Sequence, residues 1–196
     1  LMPEQTSIEQ VKSDIRSLFT EVANEKEIDF EIENHTELPE TIFTDRVRLE
    51  QIIKNLLANA FKFTPAKGKI TLKIKRPDRV TLFSNPSLRG QKNIIEFSVT
   101  DTGIGIPAEK QALIFEAFQQ ADGSTSRKYG GTGLGLSISK MLVSMLGGEM
   151  QLISEQNAGS TFFVYLPENY QEETENVSHE TDKGKIKELR AWLIYP

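Results

Sequence analysis

The chain contains no cysteine among its 196 residues. It therefore cannot form a disulfide scaffold, a thiolate metal site or a cysteine nucleophile. Its two histidines, His35 and His179, lie far apart in sequence, which disfavours a histidine-rich metal centre. No apolar run approaches the roughly 20 residues that a membrane-spanning helix needs, and no signal peptide is recognisable. We expect a soluble, cytoplasmic domain without membrane contact.

Charge and hydropathy describe an ordinary globular protein. The chain carries 23 basic and 28 acidic side chains, for a formal net charge of -5, and is 38% hydrophobic. A net negative charge argues against non-specific nucleic-acid binding, which depends on a basic surplus. The charge is unevenly distributed: residues 1–45 carry 3 basic and 12 acidic side chains, whereas residues 46–167 carry 16 and 9. The central segment is therefore compatible with an anionic small ligand.

Hydrophobic periodicity predicts an α+β fold. Apolar residues recur at helical spacing in some segments and alternate with polar residues in others. The predicted helices are 7–23, 46–63, 107–118 and 134–147, and the predicted strands are 28–33, 41–44, 70–74, 95–100, 150–154 and 160–166. Residues 76–93 read as a long polar connection and 119–132 as a mobile loop. Because helices and strands do not strictly alternate, we expect a two-layer sandwich, with helices on one face of a mixed, largely antiparallel sheet.

The 46–63 helix carries polar residues where a simple amphipathic helix would not need them. Asn55, Asn59 and Lys62 fall on one stripe that borders the apolar face. Asparagine is a poor residue for a helix interior, so two of them one turn apart are unexpected on a solvated face. Their carbonyl oxygens could bind a hard cation such as Mg²⁺, and Lys62 could supply positive charge for phosphates. The alternative is an ordinary solvated stripe.

Asp101 follows the 95–100 strand, and alternation places it on the same face as the apolar residues 95, 97 and 99. A buried carboxylate without a partner costs several kcal/mol. Either the backbone amides of the next turn satisfy Asp101, or it accepts a hydrogen bond from an exocyclic amine such as that of adenine. The residues alone leave both readings open.

Two glycine clusters each precede a predicted helix. Residues 101–107 read DTGIGIP and residues 130–136 read GGTGLGL. Glycine allows a backbone to approach a ligand closely, and free amides at a helix N-terminus attract anions. The second cluster could therefore cradle phosphate, although capped tight turns would explain both clusters. Neither has the spacing of a dinucleotide fingerprint or of a Gly-Lys-Ser/Thr phosphate loop.

Four motifs in order resemble the nucleotide-binding boxes of the catalytic, ATP-binding domain of bacterial sensor histidine kinases. They are NLLANAFKFT (55–64), DTGIG (101–105), FEAF (115–118) and GTGLGL (131–136). This domain belongs to the ATPase superfamily shared with DNA gyrase B, heat-shock chaperones and mismatch-repair ATPases. The resemblance covers residues 1–167, which we expect to form one ATP-binding catalytic domain using ATP and Mg²⁺.

The resemblance implies a role for each matching residue. Asn59 would be the Mg²⁺ ligand, with Asn55 supporting the metal and the phosphates. Lys62 would contact phosphate, Phe63 would lie beside the adenine, and Asp101 would receive the adenine amine. The catalytic candidates are Asn55, Lys62 and Arg127. The other nucleotide contacts implied are Gly103, Gly105, Ile106, Phe115, Arg127, Gly131, Thr132, Gly133, Leu134, Gly135 and Thr161.

Some of these assignments have structural alternatives. Phe115 and Phe118 match the phenylalanine box but could equally pack in the core. Arg127, with Lys128, falls in the segment that matches the ATP lid. Thr161 could be a simple strand residue.

The phosphate acceptor in this family is a histidine on a dimeric helical hairpin, and no such hairpin is found in this sequence. His35 and His179 lie in the wrong context, so the substrate is expected on a separate dimerisation domain of the same protein. The expected next partner is a response regulator or a fused receiver domain. The alternatives are an ATP-gated conformational ATPase of the gyrase or chaperone type, and a non-catalytic nucleotide sensor.

The composition changes after Pro167. Residues 168–182 hold six acidic side chains and no basic one, which predicts an acidic linker over 168–186. Residues 187–196 regain apolar character. This segment is either the start of a following receiver domain or an amphipathic tail that docks on a neighbour.

Overall fold

A computed structural model describes residues 1–34, 38–116 and 134–171 of the chain. In those ranges a two-layer α+β fold is present, as predicted. The helices are α1 (Ile8–Glu25), α2 (Arg46–Phe63) and α3 (Gly135–Met145). The strands are β1 (Glu4–Ser7), β2 (Asp29–Asn34), β3 (Thr41–Thr44), β4 (Lys69–Lys75), β5 (Ile94–Asp101), β6 (Glu149–Glu155) and β7 (Gly159–Pro167).

The main sheet has five strands in the order β2-β4-β5-β7-β6. Only β2 and β4 run parallel, and the other three pairs are antiparallel. The two central strands, β5 and β7, are paired from Ile94 opposite Pro167 to Asp101 opposite Ser160. This register brings the end of β5 and the start of β7 to the same edge of the sheet.

The hydrophobic core lies between the sheet and the three helices. Helix α2 contributes the largest share, because its apolar residues recur every three or four positions. Its start is capped by Asp45, whose Oδ1 accepts a hydrogen bond from the Arg48 amide at 3.1 Å. The fully or nearly fully buried residues of α2 are Leu49, Ile52, Ile53, Leu56, Leu57, Ala60 and Phe61.

Three predictions of local structure differ from what is observed. The predicted helix 107–118 is instead two short 3₁₀ helices, Ala108–Lys110 and Leu113–Phe115, as far as residue 116. Strand β1 was not predicted; it pairs antiparallel with β3. The 76–93 connection contains a short 3₁₀ helix, Pro86–Leu88.

The 76–93 connection also covers part of the sheet face opposite the helices. Leu88 is fully buried there, and Phe83 packs edge-on against Tyr165 with ring centroids 5.1 Å apart. As a result both faces of β5 are buried from Ile94 to Val99, rather than the single face that alternation predicts. Asn85 fixes the connection to the edge of the sheet through the Glu149 carboxylate and the Gly148 carbonyl.

The domain boundary at residue 167 stays a prediction. Strand β7 ends there, and Glu168 remains attached to the fold through a 2.8 Å ion pair with Arg76. The segment 187–196 and nearly all of the predicted linker lie outside the described residues.

Candidate functional site

The candidate site lies at one end of the sheet, where β5 ends and β7 begins. Asp101 is the last residue of β5 and is 7% exposed. Its Oδ1 accepts a hydrogen bond from the Gly103 amide at 2.8 Å. Burial raises the pKa of Asp101, while hydrogen bonds from the backbone amides of Gly103 and Ser160 partly oppose that rise. The structure thus shows the backbone-satisfied carboxylate that was one of the two readings of the sequence, and a carboxylate can accept further hydrogen bonds.

The turn after Asp101 packs directly on the end of α2 and on the β6–β7 hairpin. A Cβ on Gly103 would lie 2.5 Å from the Phe63 carbonyl oxygen, so no side chain fits there. Gly105 has a positive φ of 62°, and a Cβ on it would collide with the Glu155 carbonyl. The glycines are therefore needed for backbone packing, which is the capped-turn reading of the first cluster. A Cβ at either position would point into neighbouring backbone, so the two glycines allow the turn to pack against α2 and the β6–β7 hairpin.

Three of the helix residues lie together on α2. Asn55, Asn59 and Lys62 are all half-buried on the side of α2 that borders the core. The Lys62 ammonium lies 5.0 Å from the centre of the Phe63 ring, a cation–π distance. The predicted polar stripe therefore exists, and it is only partly solvated.

Asn55 makes a contact that the sequence did not predict. Its Nδ2 donates to the Ser139 hydroxyl at 2.8 Å, and Ser139 is 1% exposed on α3. A Cβ on Gly135, the first residue of α3, would collide with the Asn55 amide oxygen. Asn55 therefore joins α2 to the first turns of α3. This structural role is separate from the predicted role of Asn55 in binding metal or phosphate.

The start of α3 has the features of an anion-binding helix terminus. The first backbone amides of α3 receive no side-chain cap from Leu134, and residues 117–133 before it lie outside the described ranges. These amides and the helix dipole favour negative charge at this end.

Phe115 packs against the core beneath the site. Its ring meets Phe162 edge-on at 6.4 Å, and the Lys140 ammonium lies 5.0 Å from its centre. Ile106 is also half-buried against the same core. These contacts correspond to the core-packing reading of Phe115.

Thr161 lies away from the site. Alternation along β7 places it on the sheet face opposite the helices, where its hydroxyl is 3.1 Å from that of Thr100. The β7 residue beside Asp101 is Ser160, which is 7% exposed and was not named from the sequence. The pairing register of the two strands could have indicated it, but one sequence does not define that register.

The second glycine cluster and the lid lie mostly outside the described residues. This applies to Arg127, Lys128, Gly131, Thr132, Gly133 and Phe118. The described contacts between predicted residues fall into two groups: Asn55 meets Gly135 at the start of α3, and Phe63 meets Lys62 and Gly103 beside Asp101. Asn59 lies on α2, Gly105 in the turn after Asp101, and Leu134 directly before α3.

Neither a membrane-spanning helix nor a metal-binding cluster of histidine and carboxylate side chains is found in the described ranges. No helix in them combines the length and the hydropathy needed to cross a membrane. No group of three or more histidine or carboxylate side chains in residues 1–34, 38–116 and 134–171 could hold a metal ion. Any metal bound at those residues would need other ligands, such as amide oxygens, water or phosphate oxygens.

Residues 44–170 match the family of histidine kinase-, DNA gyrase B-, and HSP90-like ATPases. The chain is 44% identical over 153 residues to the autoinducer 2 sensor kinase/phosphatase LuxQ of Vibrio vulnificus, covering 78% of this chain and 17% of that protein. It is 37% identical over 166 residues to the signal transduction histidine-protein kinase BarA of Escherichia coli, covering 81% and 17%. The chain thus spans about a sixth of the length of these relatives.

Solved structures show the same fold. The full-length histidine kinase ShkA, in complex with AMPPNP, is 32% identical with a TM-score of 0.68, covering 85% of this chain and 31% of that chain. The catalytic domain of the histidine kinase ThkA has a TM-score of 0.68 at 24% identity, covering 86% and 99%. On its motifs, its fold and the family match over residues 44–170, the chain belongs to the histidine kinase-, DNA gyrase B-, and HSP90-like ATPase family, and it is similar to the ATPase domains of sensor histidine kinases.

Proposed function

We propose that the chain binds Mg·ATP at the end of the sheet and transfers the γ-phosphate to a histidine on a separate dimerisation domain of the same protein. The observation that carries this proposal is the buried Asp101 carboxylate, which lies between the glycine turn and β7. A carboxylate held in place by two backbone amides is a rigid acceptor for an exocyclic amine. Gly103 and Gly105 let the turn beside it pack closely against α2 and the β6–β7 hairpin, which holds the acceptor in position.

Different residues of the chain would bind the base, the phosphates and the metal. Asp101 and the 102–106 turn would receive the base, with Phe63 beside it. The polar side of α2 would lie along the phosphates, with Lys62 supplying positive charge and Asn59 an amide oxygen for Mg²⁺. The backbone amides at the start of α3 would bind phosphate oxygens.

Phosphoryl transfer needs mainly positioning and charge neutralisation from a protein. Mg²⁺ would neutralise part of the phosphate charge. It suits this site because it keeps several bound waters and needs few protein ligands. Asn55 holds α2 against α3 and so would fix the spacing between the metal-bearing and phosphate-binding parts of the site. Arg127 remains a candidate phosphate contact from the sequence alone.

The partners follow from the same proposal. The histidine acceptor would be presented by a helical hairpin, and the phosphate would pass on to a response regulator or a fused receiver domain. The structure of ThkA, a histidine kinase with the same fold, has been solved in complex with a response regulator.

The metal assignment is tested by titrating the chain with ATP in the presence and absence of Mg²⁺. We expect Asn59→Ala to lose the Mg²⁺-dependent part of the ATP affinity. Gln51→Ala is the matched control, because it removes an exposed amide side chain from the same helix. Unchanged Mg²⁺-dependent affinity in Asn59→Ala would refute the metal assignment. Rapid ATP turnover by the chain alone, with ATP-dependent dimerisation, would favour a conformational ATPase instead.

A further inference from the structure

One hydroxyl on β6 joins the two backbone segments that enclose Asp101. Ser154 Oγ accepts a hydrogen bond from the Ile106 amide at 2.8 Å and donates one to the Gly159 carbonyl at 3.0 Å. It also lies 2.9 Å from Ser160 Oγ. A serine hydroxyl has one proton and two acceptor sites, so these three neighbours use its full capacity when Ser160 donates.

The two segments that Ser154 joins are those that hold the Asp101 carboxylate. Ser160, on β7, is paired directly opposite Asp101, and its backbone amide helps to hold down the pKa of that carboxyl. The Gly103 amide, in the turn that ends at Ile106, donates a hydrogen bond to the same carboxyl. The Ser154 hydroxyl therefore links β7 to the turn on either side of the carboxylate, alongside the hydrogen bond from the Asn157 amide to the Ile104 carbonyl.

Gln111 reinforces the same connection from the other side of the backbone. Its Nε2 donates to the Ile106 carbonyl and to the Ser154 carbonyl, each at 2.9 Å. Ile106 is therefore held at both its amide and its carbonyl. We call Ser154 and Gln111 together the turn clamp.

We propose that Ser154 and Gln111 are positioning residues that determine the base selectivity of the nucleotide site. The inference rests on the proposed ATP-binding function and deepens it. Neither side chain needs to touch the nucleotide. The turn clamp fixes the Asp101 acceptor relative to the turn, so that a purine with an amine at its six-position is bound. A purine with an oxygen there is rejected, because two acceptors would face each other.

The test compares Mg·ATP with Mg·ITP, which carries a six-oxo group and the same ribose and triphosphate. Isothermal titration calorimetry on the 196-residue chain gives the ratio of the two affinities. We expect wild type to prefer ATP by about tenfold or more. Ser154→Ala and Gln111→Met should each lower that ratio by about threefold or more, chiefly by weakening ATP, since they remove three and two of the hydrogen bonds that hold the turn beside the acceptor. Thr100→Val is the matched control, because it removes a paired hydroxyl from the opposite sheet face.

The ratio separates positioning from a general loss of stability, which would weaken both nucleotides alike. A wild-type ratio in folded Ser154→Ala, or in Gln111→Met should Ser154→Ala fail to fold, would overturn the inference. A ratio that falls equally in Thr100→Val would also overturn it. Wild-type chain that binds neither nucleotide would refute the proposed function itself.

Discussion

Gly105 and Gly90 form a natural pair for testing why the glycine turn is built as it is. Both have positive φ, 62° for Gly105 and 76° for Gly90. They differ in their surroundings. A Cβ on Gly90 would meet no atom within 4 Å, whereas a Cβ on Gly105 would collide with the backbone of Glu155 and Gln156. Substitution by alanine therefore adds the same backbone strain at both sites and a collision at only one.

The strain sets the expected loss for Gly90→Ala. A left-handed conformation costs a non-glycine residue about 1–2 kcal/mol. Alanine also lowers the conformational entropy of the unfolded chain, which raises the free energy of unfolding by about 0.4–1 kcal/mol. The net loss of unfolding free energy is about 1 kcal/mol, which lowers the melting temperature by about 2–4 °C.

Gly105→Ala should lose more, because the turn and the β6–β7 hairpin must move apart. Two hydrogen bonds cross this boundary: the Asn157 amide donates to the Ile104 carbonyl at 2.7 Å, and the Ile106 amide donates to Ser154 at 2.8 Å. Each contributes about 1 kcal/mol net. The total loss is then about 3 kcal/mol, which corresponds to a fall of about 6–12 °C.

Thermal unfolding followed by circular dichroism measures both losses, and calorimetric titration measures ATP binding. We expect Gly105→Ala to lose most of its ATP affinity and Gly90→Ala to retain it. Equal falls in melting temperature for the two variants, or intact ATP binding in Gly105→Ala, would show that close backbone packing is not why glycine is needed at this turn.

Two further predictions concern stability. Glu96 is 2% exposed, its Oε1 has no hydrogen-bond partner, and burial raises its pKa, an effect that Lys75 only partly offsets. The Glu96 carboxyl has a higher pKa in the folded protein than in the unfolded chain. The free energy of unfolding therefore falls as the pH rises from the unfolded-state pKa to above the folded-state pKa. Glu96→Gln should therefore raise the melting temperature at pH 8, with a smaller gain near pH 4; a gain that is the same at both pH values would contradict this. In a double-mutant cycle, Asn55→Ala and Ser139→Ala should couple by about 1 kcal/mol, and additive losses would show that their hydrogen bond does not stabilise the fold.

The parts of the fold with strong periodicity could be predicted from the sequence. Helix α2 has both a clear apolar stripe and a capping aspartate, and the structure has it at the predicted residues, Arg46–Phe63. The Asp101 position was predictable because alternation in β5 is regular on the helix side. The helix predicted at 107–118 was wrong because Pro107 and nearby apolar residues also suit short 3₁₀ turns, which Gln111 ties to β6.

What could not be predicted depends on pairing between distant segments. Ser160 faces Asp101 only through the β5–β7 register, and Ser139 meets Asn55 across 84 residues of sequence. The motif indicated Thr161, whereas the residue opposite Asp101 is its neighbour Ser160, and neighbouring residues along a strand point to opposite sheet faces. The burial of Glu96 likewise arises from the 76–93 connection, which has no periodic pattern of its own.

The central claim is that this chain transfers phosphate from ATP to a histidine supplied by another domain. The most direct measurement incubates the chain with Mg²⁺ and γ-labelled ATP, with and without the histidine-bearing dimerisation domain of the same protein. We expect acid-labile label on the dimerisation domain, none on the chain alone, and loss of transfer with Asn59→Ala. Phosphohistidine on the chain alone, or no transfer by a chain that binds Mg·ATP, would contradict the claim.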